Sequence, residues 1–142
     1  MSNTMQLTAQ DFDPLGPKTR IFRRCLFVLY TGLLIYGLFR PAGPTNLFIT
    51  SDKALHFLGF AGFAFTTRLA FARESAWKVW TLIILWAPLS EGLQHNIEST
   101  RQFSWLDICA NFAGVAAGAL CWWITLRLYQ HWKTRQPQYR VG

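Results

Sequence analysis

Between Ile108 and Leu126 the chain carries no charged residue. About 20 apolar residues in helical conformation cross the hydrocarbon core of a bilayer, each adding about 1.5 Å of rise. In lipid a single segment satisfies its own backbone donors and acceptors only as a helix. The same signature recurs upstream. Cys25 to Phe39 is uncharged, and two more apolar segments follow, from Asp52 to Ala72 and from Ala76 to Gln94. The sequence predicts four spans, over about 24–40, 52–72, 76–94 and 105–128. The first is short and needs its flanking arginines to snorkel. The second carries Arg68 near its end, a position tolerable only close to the interface.

The expected fold class is all-α: a polytopic membrane protein with a bundle of four transmembrane helices. With 142 residues the chain holds one domain. That domain covers about 21–130, between a flexible tail over 1–20 and a second tail over 131–142. Charged residues are 15% of the chain, well below the roughly one quarter of soluble domains. The first span also fits the basic lead and apolar run of a secretory signal. Its lead is long, however, and Arg40 and Pro41 stand where a small-residue cleavage site belongs, so it reads as an uncleaved helix.

The basic residues orient the bundle. With both termini cytoplasmic, only Arg40, Lys53 and Arg101 of the fourteen Lys and Arg lie outside. Trp77 and Trp80 then mark the inner interface and Trp105 the outer one, while Trp122 and Trp123 are lipid or packing contacts. The net charge of +7 does not indicate nucleic acid, because the basic residues flank apolar runs and no recognition motif is present. Cys25, Cys109 and Cys121 lie inside apolar runs without C-x-x-C spacing. They read as small buried apolar residues, not as a disulfide framework or zinc site.

This orientation collects polar residues at the outer ends of the spans. Asp52 and His56 share a helix face, and Gly59 continues it. Asp107, Asn111, Gly114 and Gly118 share a face of the fourth span, and Glu91 and Gln94 sit near the end of the third. Ionisable groups inside a membrane are costly and mark functional sites by default. Much of the set also has a structural explanation. Ser104 followed by Asp107 is a capping box, and Ser51 with Asp52 is a second candidate cap. Gly114 and Gly118 form a close-packing face, and Asn111 and Gln94 suit interhelical hydrogen bonds. Glu91 lies near the negative end of its helix, after Pro88, and calls for a cationic or metal partner among Arg101, Lys53 and His56.

Read functionally, these groups line one outward-facing pocket. Arg101 and Lys53 hold a phosphate or carboxylate. His56 moves a proton, with Asp52 or Asp107 orienting it. Asp52, His56, Glu91 and Asp107 are the candidate catalytic set, and the same four offer ligands to a divalent cation such as magnesium or calcium. Lys53, Arg101, Gln94 and Asn111 are the candidate ligand-binding set. His95, Glu98 and His131 are not candidates.

The series D-K-A-L-H at Asp52 to His56, S-E-G-L-Q at Ser90 to Gln94, Arg101, and S-W-L-D-I-C-A-N-F-A-G-V-A-A-G at Ser104 to Gly118 resembles the VanZ-like family of small bacterial membrane proteins. The likeness covers about half the chain, from Ser51 to Leu120. It departs at H-N-I-E-S-T before Arg101, where the family tends to have an aromatic and a proline or glycine. The resemblance implies a multi-pass protein of the bacterial plasma membrane, a cell-envelope role and a link to antibiotic resistance of the teicoplanin type. It supplies no settled reaction and no cofactor.

Two functions follow. In the first, the protein binds or modifies an envelope lipid or lipid-linked intermediate at the outer face, its partners being membrane lipids with an anionic or lipid-linked headgroup. In the alternative it is a non-enzymatic scaffold or partner subunit, open to oligomerisation, whose polar cluster is structural. Transport ranks lower, since the acids gather at one end and none marks a path across.

Overall fold

The computed structural model describes residues 13–39, 49–97 and 103–135. It is all-helical, with no strand among the described residues. Its helices are α1 (Arg20–Phe39), α2 (Ile49–Ala70), α3 (Ala76–Ile97) and α4 (Trp105–Arg135). The boundaries follow local chemistry. Ser75 precedes α3 and its carbonyl accepts the Val79 amide at 3.3 Å. Ser104 caps α4 as its spacing predicts: its Oγ accepts the Asp107 amide and its carbonyl the Ile108 amide, each at 3.3 Å. α2 begins at Ile49, so Ser51 and Asp52 lie inside its first turn and not at its cap. α3 continues through Pro88, which deprives the Ile84 carbonyl of its helical donor.

Helix packing is set by small residues. The broadest contact is between α2 and α4, where Gly114 and Gly118 let the two backbones close in. A Cβ at Gly114 would lie against the Phe57 carbonyl, and one at Gly118 would sit 2.5 Å from the Ala61 carbonyl. The expected close-packing face is therefore present. α1 seats on α2 in the same way, with Gly59 under Leu34 and Gly62 under Tyr30. Leu34, Phe60, Ala64, Ile83, Ala87 and Val115 meet in the core.

Beside this apolar core the bundle buries several polar side chains and exposes many large apolar ones. Arg23, His56, Arg68, Glu91, Asp107 and Asn111 are buried, while Phe22, Tyr36, Leu82 and Leu128 are at least 65% exposed. α1 and α4 are long and apolar enough to cross a membrane. The same arrangement corrects the cysteine expectation. Cys25, Cys109 and Cys121 are free thiols on exposed faces, because the apolar runs of this chain point outward as well as inward.

At the end where α2 finishes, two arginines are buried against backbone carbonyls. Arg23 donates from Nε to the Leu69 carbonyl at 3.0 Å and from Nη1 to the Pro14 carbonyl at 2.9 Å. Tyr129 Oη donates to Asp13 Oδ1 at 2.9 Å. Residues 13–19, expected within a flexible tail, are thus tied to α1 through Arg23 and to α4 through Tyr129. Arg68 donates to the Phe71 carbonyl at 2.6 Å and lies 5.0 Å from the Trp122 ring centroid. Trp122 is accordingly a packing residue and not a lipid contact.

Candidate functional site

The opposite end of the bundle holds the candidate site. α2 and α4 both begin there, and each carries an aspartate in its first turn, Asp52 and Asp107. A carboxylate is favoured at that position by the partial positive charge of the helix N-terminus. Packing α2 against α4 brings the two acids together with His56. One carboxylate oxygen of each aspartate and one ring nitrogen of His56 lie within 4.8 Å of one another. Two carboxylates this close repel unless a cation sits between or beside them. Lys53 Nζ is 3.7 Å from Asp107 Oδ1, and its side chain is 40% exposed.

The hydrogen bonds of Asn111 call for a proton on His56 Nδ1. Asn111 Nδ2 donates to the Ala87 carbonyl at 3.1 Å, an acceptor with no proton to give. Asn111 Oδ1 is then the atom 2.9 Å from His56 Nδ1, and it too can only accept. The proton of neutral His56 therefore resides on Nδ1, and Nε2 carries the lone pair. Asn111 therefore holds the ring through Nδ1, a contact absent from the expected arrangement, while Asp52 and Asp107 remain within 4.8 Å of one ring nitrogen.

Glu91 and Gln94 each make a hydrogen bond that joins one helix to another part of the bundle. Glu91 Oε1 accepts the Ser104 amide at 2.9 Å and so pins the start of α4 to α3. Gln94 Nε2 donates to the Leu38 carbonyl at 2.6 Å, joining α3 to α1. Glu91 is not part of the group formed by Asp52, His56 and Asp107. Lys53, one of its expected partners, pairs with Asp107. Arg101 lies outside the described residues, as do Glu98 and the segment 40–48. His95 belongs to the end of α3 and not to a loop, and it is exposed, with Phe103 6.4 Å away. His131 is exposed on α4.

An apolar groove of about 360 Å³ runs between α1 and α2 beside this cluster. Tyr30, Leu33, Tyr36 and Leu55 form its walls, and Asp52 and His56 stand at its polar end. The volume is within the range of small-molecule pockets, about 300–1,000 Å³. Sequence reasoning did not find these walls. Tyr30 and Tyr36 offered only a faint signal, as polar-tipped rings within an otherwise aliphatic run.

Taken together the residues offer an imidazole at His56, a partly exposed ammonium at Lys53 and two carboxylates. The chain matches no family model, no curated protein and no solved structure. Fold and site define the class: an all-helical chain with an aspartate–histidine–aspartate cluster where two helices begin.

Proposed function

We propose that this chain is a four-span protein of the bacterial plasma membrane that binds an anionic or lipid-linked lipid at the outer leaflet. The observation that carries the reading is the junction of the Asp52, Lys53, His56 and Asp107 cluster with the apolar groove between α1 and α2. An acyl chain fits the groove, and a negatively charged headgroup then meets Lys53. The exposed apolar exterior supports the membrane setting. Only 17% and 33% of the most apolar windows of α1 and α4 are buried, whereas a core helix of a soluble domain is mostly buried. The motifs that resemble the VanZ-like family support an envelope role and an effect on teicoplanin susceptibility.

His56 is the group placed for an acid–base step on the bound lipid, with Lys53 holding the headgroup. Arg101 joins that second role by resemblance. The scaffold reading draws its support from Glu91 and Gln94, whose hydrogen bonds run between helices.

Binding of fluorescent phosphatidylglycerol and phosphatidylcholine to the detergent-purified chain tests the proposal. Lys53→Ala weakens the anionic lipid alone, by about two- to fivefold, as for a partly exposed charge pair. Leu55→Trp fills the groove and weakens both lipids. Parent-like binding of both lipids by both variants would leave the scaffold reading in possession.

A further inference from the structure

We infer that Asp52, His56 and Asp107 form a binding site for one divalent transition-metal ion. Their donor atoms lie within 4.8 Å of one another. Zinc bonds to nitrogen and carboxylate oxygen are about 2.0–2.2 Å, so the donors need draw together by about an ångström. Two short aspartates and one imidazole, carried on two helices that already touch, reach that arrangement by side-chain rotation.

A second observation points to a cation. Asp107 is only 7% exposed, and among the described residues its Oδ1 has no hydrogen-bond partner. Among the described residues the cation paired with that oxygen is Lys53 Nζ at 3.7 Å, beyond the roughly 2.7–2.9 Å of a charge-assisted hydrogen bond. A buried carboxylate oxygen is costly without a close positive partner. His56 supplies a third. Asn111 holds the proton on Nδ1, which leaves Nε2 as the donor, as when a ligating histidine gives its other N–H to a carbonyl. The imidazole favours zinc over magnesium or calcium, and the two carboxylates also suit manganese. Asp52 and His56 also line the groove, so an ion held between them borders it.

Lys53 occupies the same electrostatic position and competes with the ion. That competition gives the inference an outcome of opposite sign from any loss of fold. The inference does not depend on lipid binding, since the donors are all on this chain.

The test uses the full chain in detergent after treatment with a chelator. Manganese binding is read from the loss of the free-ion resonance signal, and zinc binding from competition with a chromophoric chelator. One ion binds per chain. Asp107→Asn and His56→Gln each weaken binding by more than about a hundredfold, exceeding the typical effect of an outer-shell partner. Lys53→Met tightens it by about two- to fivefold. Glu74→Gln, exposed at the other end of α2, leaves it unchanged. No binding by the parent, or binding that Asp107→Asn and His56→Gln both retain, would overturn the assignment.

Discussion

Replacing Gly118 with leucine parts α2 from α4 and removes most of the folded protein. A Cβ at this position already meets the Ala61 carbonyl at 2.5 Å and the Ala64 Cβ at 2.8 Å. The first is backbone and has no rotamer to escape into. Overpacking usually costs about 1–3 kcal/mol, and a clash with helix backbone lies at or above the top of that range. Gly32 and Gly92 provide the comparison, because a Cβ there meets nothing within 4 Å. Alanine at either is neutral or stabilises by up to about 1 kcal/mol through helix propensity. Yield of monodisperse protein and thermal midpoint in one detergent separate the cases. A Gly118→Leu protein that melts with the Gly92→Ala protein would mean that α2 and α4 do not pack through this face.

The second large effect is at Asn111, which is 0% exposed. Leucine there fills a similar volume but makes neither hydrogen bond. The Ala87 carbonyl keeps Ser90 Oγ at 3.0 Å, so it is not orphaned. His56 Nδ1 loses its hydrogen-bond partner and stays buried. The expected cost is about 2–4 kcal/mol, combining a lost hydrogen bond with an unpaired buried donor. That corresponds to a fall of roughly 5–15 °C in thermal midpoint. Nitrogen chemical shifts of the His56 ring supply a reading that stability does not. The parent shows the neutral ring protonated on Nδ1, and Asn111→Leu shows a mixture of tautomers. A parent ring protonated on Nε2 would contradict the chain of acceptors from Ala87 to His56.

Much of this site is legible in the sequence. The faces shared by Asp52 with His56 and by Asp107 with Asn111 follow from helical periodicity. So does the Gly114 and Gly118 seam, and once two helices begin at the same end their first-turn acids must approach. Contacts between helices were not readable in the same way. Glu91 calls for a cation by its position near a helix C-terminus, and nothing in its spacing foretold that its Oε1 also takes the backbone amide of Ser104, just before the next helix. Asn111 could have met any polar neighbour; the rotation of α4 against both α2 and α3 selected His56 and Ala87. The cysteines illustrate a different failure. Burial of small apolar residues is a rule for chains with a polar exterior, and this bundle is apolar on its outside. The groove had no sequence signature, because it is a gap between α1 and α2 and not a property of either helix.

In the proposed arrangement these helices cross a membrane with the Asp52, His56 and Asp107 cluster on the outer side. α3 has exposed positions close to both its ends, Glu74 just before it and Asn96 near its finish. With Cys25, Cys109 and Cys121 changed to serine, a single cysteine at either position reports which side it faces. In intact spheroplasts a membrane-impermeant maleimide should label Asn96→Cys at once, and Glu74→Cys only after the membrane is broken. Labelling of both from the same side, or release of the protein from membranes by alkaline carbonate, would contradict the account.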